Sequence, residues 1–178
     1  MKKLLVILIM LLLCVGYFYA VRANNPQKKY AQREIQKIEQ GIKEVKEQLT
    51  SAYPKTAEEV IEYHNKIMNY QYSRYMQEEY VKPAVEIVRM LYSKEILGLN
   101  LVESQEESLL KEIQANQQQS VFILQSKIIS TRYDAEETTA VVKVIHSTNI
   151  KDMTREYMLI KEDGNWKISG WNSVEEEQ

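Results

Sequence analysis

The chain has 178 residues, of which 44% are hydrophobic and 27% are charged, a balance typical of a folded domain and not of a disordered chain. Its 23 basic and 25 acidic residues give a formal net charge of −2, which argues against nucleic acid as a partner. The length suits one domain with extensions rather than two full domains.

The first feature along the chain is an uncharged apolar run from Leu4 to Val21. At a helical rise of about 1.5 Å per residue, this run is just long enough to cross hydrocarbon ~30 Å thick. Two lysines precede it, so the positive-inside tendency places its amino end in the cytoplasm. We expect a transmembrane anchor over residues 1–23 of a single-pass cell-membrane protein whose carboxyl-terminal domain is extracytoplasmic. A signal peptide cleaved near Ala23 is the alternative.

The one cysteine, Cys14, lies inside this apolar run. The rest of the chain therefore has no thiol, which excludes disulfides, thiol catalysis and cysteine-based zinc sites there. Two histidines are too few for a zinc site without assignable carboxylates, and no glycine-rich phosphate motif occurs. We expect no metal and no other cofactor.

Residues 24–52 are predicted to form an amphipathic helical stalk. Its apolar residues recur at alternating steps of four and three: Ala31, Ile35, Ile38, Ile42, Val45, Leu49 and Ala52. This heptad spacing indicates a helix with one narrow apolar stripe. The stripe either packs on the protein's own domain, forms a simple stalk or associates with another chain, so a homodimer or other protein partner is one expectation.

Three helices are predicted next, over about 57–77, 83–97 and 105–115. Thr56 and Glu59 have the spacing of a capping box that opens the first helix. This helix carries tyrosines and aliphatic residues on one broad face. His64 and Gln71 are polar, yet they lie near the middle of that face, seven positions apart. They are therefore candidate site residues.

From Val121 onward the pattern changes to the alternation typical of strands. Four such segments are separated by short polar turns, which predicts an antiparallel meander. The second segment places four residues on one face: Ala140, Val142, Val144 and His146. Helices followed by a sheet predict an α+β domain, with the helices covering one sheet face. The acidic end, residues 173–178, is predicted to be a solvated tail.

Three stretches, "YPKTAEEV" (53–60), "LYSKEILGLN" (91–100) and "DGNWKISGW" (163–171), resemble an uncharacterised membrane-anchored family of Gram-positive bacteria, a domain of unknown function. The tyrosine-rich helix, two further helices and terminal hairpin also resemble the nuclear-transport-factor-2-like (NTF2-like) superfamily of cone-shaped α+β folds. These resemblances imply an NTF2-like domain over residues 53–172, with about three helices on a four-stranded antiparallel sheet. They imply no activity and no catalytic residue.

In a cone of this kind, the gap between the first helix and the sheet is either a pocket or a plug of side chains. The candidate pocket residues are His64, Gln71 and His146. His64 would be a base or donor in a pocket, whereas the alternative is a buried histidine that is hydrogen-bonded to its neighbours. No carboxylate is spaced to orient either histidine, so no catalytic residue is assigned.

The expected function is a non-catalytic binding or assembly module at the cell surface. The absence of a readable active-site pattern supports this expectation. The alternative is a small-ligand-binding protein, or an isomerase-like or hydrolytic enzyme, that uses the pocket around His64.

Overall fold

The computed structural model describes residues 10–17 and 25–174. The chain divides into two compact units, Met1–Lys37 and Ile38–Gln178. In the first unit, residues 10–17 are helical and helix α1 (Pro26–Ser51) begins. Helix α1 ends in the second unit, which also contains all the other described elements.

Within the described ranges, no helix is both long enough and apolar enough to cross a membrane. The described helix at 10–17 would extend about 12 Å at 1.5 Å per residue, against ~30 Å of hydrocarbon. This finding contradicts the predicted transmembrane helix, and with it the predicted single-pass, extracytoplasmic location. The remaining residues of the predicted span, 4–9 and 18–21, and the alternative cleavage point lie outside the described residues.

The apolar stripe of α1 packs into the protein's own core from Ile38 onward. Ile38, Ile42, Val45 and Leu49 are buried in the same cluster as the helices and the sheet. The second unit therefore begins within the segment predicted as a stalk. Gly41 lies beside this stripe, and a Cβ there would stand 2.5 Å from Cζ of Tyr70 and overlap its hydroxyl. The glycine permits this close approach.

Four more α-helices and a short 3-10 turn follow: α2 (Ala57–Gln71), the turn (Glu78–Tyr80), α3 (Val81–Leu91), α4 (Lys94–Leu99) and α5 (Val102–Gln119). The predicted capping box opens α2. The Glu59 amide donates to Thr56 Oγ1 at 3.2 Å, and the Thr56 amide donates to the Glu59 carboxylate at 3.3 Å. Helix α2 ends six residues earlier than predicted, and α5 begins three residues earlier.

The second predicted helix is two helices, α3 and α4, because the chain turns at Tyr92 and Ser93. The Ser93 hydroxyl accepts a hydrogen bond from the Ile96 amide at 3.3 Å and so caps α4. The Ser93 amide donates to the carbonyl of Ile168 at 2.9 Å. This turn therefore ties the helices to the last strand.

The four strands are β1 (Ile123–Tyr133), β2 (Thr139–Thr148), β3 (Met153–Glu162) and β4 (Asn165–Val174). They form one antiparallel sheet in the order β1-β2-β3-β4. Asp163 (φ 50°) and Gly164 (φ 80°) form the two-residue turn between β3 and β4, and both have the positive φ of a type I′ hairpin.

Helix α2 packs on β1, β2 and β4, and α3 packs on α5 and β4. The predicted inward face of β2, from Ala140 to His146, is buried at every second residue. Trp166 and Ile168 of β4 are buried as well, so the terminal hairpin closes the core. The protein is α+β, with a helical layer on a four-stranded antiparallel sheet. The transmembrane helix is the part of the predicted architecture that is wrong.

Candidate functional site

A cavity of about 230 Å³ lies between the helices and the sheet. Its floor is apolar and buried, with Met68 from α2 and Val85 and Val88 from α3. Its rim is formed by exposed residues: Asn100, Ser108, Glu112 and Trp171. The cavity is thus open to solvent at its rim and closed at its buried floor.

His64 is the polar group in the floor of this cavity. Its side chain is 5% exposed, and its ring packs against the edge of Tyr157 with 5.1 Å between centroids. Nδ1 is buried and has no hydrogen-bond partner among the described residues. Burial, together with nearby His146 and Arg155, lowers the pKa of His64 to about 3, so the imidazole is neutral at pH 7.

Arg155 of β3 brings a positive charge to the cavity wall. Its guanidinium lies beside the phenols of Tyr72 and Tyr157, and Nη1 is 3.8 Å from Sδ of Met68. Among residues 10–17 and 25–174, Arg155 forms no ion pair with a carboxylate. A permanently charged group therefore lines the cavity with no described carboxylate in direct contact, and Glu112 is joined to it only through the Tyr72 hydroxyl.

Tyr72 and Glu112 join the end of α2 to α5 at the cavity. The Tyr72 hydroxyl donates to Oε1 of Glu112 at 2.6 Å. Burial and this carboxylate raise the pKa of Tyr72 to about 12. The tyrosine is consequently neutral and fixed in orientation.

His146 is fully buried and is not part of the cavity lining. Its Nδ1 is 2.8 Å from Oγ of Ser126, and its Nε2 is 3.2 Å from the hydroxyl of Tyr157. Ser126 also donates to Oδ1 of Asn69 at 2.8 Å. Burial and the positive charge of Arg155 lower the pKa of His146 to about 4. The imidazole is therefore a neutral link in a hydrogen-bond chain.

The structure thus places His64 and Gln71 in one cavity lining and leaves His146 outside it. Both histidine rings contact Tyr157, with centroid distances of 5.1 Å for His64 and 6.3 Å for His146. Tyr157 stands between the two imidazoles as their shared neighbour.

Sequence reasoning missed Arg155 as a site residue. A signal was present, because Arg155 shares the period-two alternation of β3 with the buried Tyr157 and Leu159. An arginine on the inward face of a strand is expensive to bury without a partner. The rim residues of α5 gave no such signal, since they lie on the polar face of that helix.

A second, more open cleft of about 420 Å³ lies along another face of α2, between this helix and β1. Asn69 and Ser126 line it, and so does Asn65, whose Oδ1 is buried without a partner among the described residues. In the described part of the chain, no cluster of three or more His, Cys, Asp or Glu side chains could hold a metal ion.

Comparison with known proteins gives a family. The family described as Domain of unknown function (DUF6715) matches residues 1–171. The chain belongs to this family. The predicted resemblance to a domain of unknown function is confirmed at this level, and DUF6715 membership brings no activity and no site residue with it.

Two further comparisons complete this picture. The search of curated proteins found no match. A solved structure, the crystal structure of the intermembrane space region of chloroplast protein ARC6, aligns with 66% of this DUF6715 chain and 93% of its own. The identity is 13% and the TM-score is 0.39, so this likeness carries no argument about fold or function.

Proposed function

We propose that this domain is a non-catalytic binding module that takes up a small organic molecule in the cavity between α2, α3 and α5. The observation that carries the proposal is a cavity whose floor is apolar and whose lining also includes two polar groups: the buried His64, and Arg155, which forms no ion pair among the described residues. Buried polar groups are normally hydrogen-bonded, and ligand sites combine apolar walls with a few such groups.

The size of the cavity limits the ligand. A volume of about 230 Å³ is below the ~300–1,000 Å³ of sites for drug-sized molecules. The ligand is therefore a small molecule and not an extended peptide or a large cofactor.

The geometry gives less support to an isomerase-like or hydrolytic enzyme. His64 has a pKa of about 3, lowered first by burial, which makes it a weak base near pH 7. Nδ1 of His64 also lacks the orienting partner that a catalytic imidazole needs. Ligand binding needs neither a basic imidazole nor an orienting partner for it, so a binding site accounts for His64 and Arg155 with fewer requirements.

A finer fold assignment goes with this proposal. Helix α2 lies against the sheet and a cavity opens beside it, which supports an NTF2-like cone for the domain. Its assignment to a Gram-positive group and its association with a protein partner, including a second copy, both stay predictions.

The test is fragment binding to the full chain, followed by two-dimensional amide NMR. Ser108→Trp places a large ring at the cavity rim, and Gln114→Trp places the same ring at an exposed position of α5 outside the lining. We expect fragments to shift the amides around His64 in the parent and in Gln114→Trp, and not in Ser108→Trp. If no fragment binds the parent, or if Ser108→Trp binds equally well, the cavity is not the binding site.

A further inference from the structure

We infer that the ligand is a small monocarboxylate with an apolar body, whose carboxylate is held by Arg155 and His64. This inference rests on the proposed function and adds the chemical class of the ligand. Four features support it: the placement of the two polar groups, the charge of Arg155, the hydrogen-bond donor that Nε2 of His64 offers, and the rest of the cavity lining.

Arg155 and His64 flank one patch of the cavity wall, because both lie next to Met68 and Tyr157. Nη1 of Arg155 is 3.8 Å from Sδ of Met68, and the Tyr157 hydroxyl oxygen is 3.3 Å from the same sulfur. The His64 ring packs on Tyr157, one helical turn before Met68 on α2. His64, Met68 and Arg155 all line the cavity, so we place one ligand group against Met68, between the other two side chains.

The charge of Arg155 selects an anion. A half-buried guanidinium without a carboxylate partner loses part of its hydration and gains no ion pair in return. The guanidinium fork matches the two oxygens of a carboxylate, which can accept two parallel hydrogen bonds from it. A ligand carboxylate would give Arg155 a direct ion pair, which no described carboxylate does.

His64 adds a hydrogen-bond donor beside the guanidinium. Nδ1 is closed off from the cavity, so any hydrogen bond from His64 to a ligand must use Nε2. An orphaned buried N–H is rarer in proteins than an orphaned acceptor. We therefore assign the single proton of this neutral imidazole to Nε2, which makes Nε2 a donor to a ligand oxygen.

The rest of the lining describes the body of the ligand. Val85, Val88 and Ile96 give an apolar surface, and the rings of Tyr92 and Trp171 stack 6.0 Å apart at the rim. Glu112 on the rim would repel a second negative charge. One oxygen of Glu112 already accepts a hydrogen bond from Tyr72, and the exposed carboxylate stays hydrated. Glu112 therefore does not need an ammonium group on the ligand as a partner.

The experiment compares four compounds with one phenyl body: 3-phenylpropanoate, 3-phenylpropanamide, 3-phenylpropylamine and phenylalanine. Hexanoate and butanoate, each compared with its own amide, test the carboxylate on other bodies. Dissociation constants are measured on the full chain by calorimetry and NMR. We expect at least one carboxylate of charge −1 to bind about tenfold or more tightly than its amide, since a hydrogen bond to a charged group is worth about that much. The amine and the zwitterion are expected to bind more weakly still.

Arg155→Gln is the matched variant, and Arg132→Gln is its control, because Arg132 is an exposed arginine of β1 that does not line the cavity. We expect Arg155→Gln to abolish the preference for carboxylate over amide and Arg132→Gln to leave it unchanged. The compound series in the parent decides the matter even if Arg155→Gln fails to fold.

Two outcomes would overturn the inference while leaving the cavity as a binding site. One is that the amide or the amine binds as tightly as the carboxylate and is blocked by Ser108→Trp. The other is that fragments without an anion bind in the cavity and no carboxylate does. If neither fragments nor carboxylates bind the parent, the proposed function fails as well.

Discussion

Lowering the pH from 7.5 to 5.5 should destabilise the protein through its two histidines. Both are buried, and burial lowers the folded-state pKa of His64 to about 3 and of His146 to about 4. An unfolded histidine has a pKa near 6.5, so below that pH the unfolded chain binds protons that the folded chain does not. The stabilisation is therefore complete above pH 6.5 and is lost as the pH falls toward the folded values.

The size of the effect follows from these values. At pH 5.5 the unfolded chain has taken up nearly one proton per histidine, and the folded chain almost none. One pH unit below the unfolded pKa costs about 1 kcal/mol for each group, or roughly 2–3 kcal/mol for the pair. Ordinary carboxylates titrate below this window, so the chain's two histidines dominate the change.

The assay is urea unfolding at pH 7.5 and pH 5.5, followed by the fluorescence of the buried Trp166. His64→Gln and His146→Gln should each remove about half of the pH dependence, and the double variant should remove nearly all of it. The readout is the difference between the two pH values, so a lower stability of a variant at both does not affect it. A parent whose unfolding free energy changes by less than about 0.5 kcal/mol would refute the reasoning, as would a double variant with the full dependence.

Three further predictions concern stability, each measured by urea unfolding at pH 7.5. Gly41→Ala should lower the free energy of unfolding by about 1 kcal/mol, because crowding against Tyr70 outweighs the gain in helix propensity. In a Tyr70→Ala background the same change should stabilise the protein, and equal effects in both backgrounds would disprove the contact. Ser126→Ala should lower the free energy of unfolding by about 1–3 kcal/mol, because it leaves the buried Nδ1 of His146 without its partner. Ser130 is exposed on the same strand, so Ser130→Ala should change that free energy by no more than about 0.5 kcal/mol. Similar losses in the two variants would argue against the hydrogen-bond network. Thr56→Ala should cost about 1 kcal/mol through loss of the capping box, and an unchanged midpoint would show that the cap contributes nothing.

The features that could be predicted from the sequence are those that depend on only a few neighbouring residues. The capping box at Thr56 needs four residues, and the turn at Asp163 and Gly164 needs two. The buried alternation of β2 is read from one strand alone. Each of these signals is local, so the rest of the fold did not have to be known.

The features that could not be predicted depend on distant partners. The helix expected over 83–97 divides at Ser93 because its amide bonds to Ile168, on a strand far along the chain. The apolar stripe of α1 has the same spacing whether it faces a second copy or its own domain, and only the tertiary structure places Ile38 in the core.

The candidate site shows the same division. His64 and Gln71 were found because they share one face of a single helix. Arg155 reaches them only through the packing of β3 under α2, although its position in the strand alternation marked it as inward. The burial of His146 depends on the elements that cover the end of β2, and the sequence of β2 alone does not reveal them.

The hydrogen-bond chain around His146 has a consequence for folding cooperativity. Its links come from separate elements: Ser126 from β1, Tyr157 from β3 and Asn69 from α2. Releasing any one of these elements leaves a buried polar atom without a partner, so partly opened states are penalised. Amide protons in α2 and in the three strands β1 to β3 should therefore exchange with solvent through one shared opening, as a single foldon.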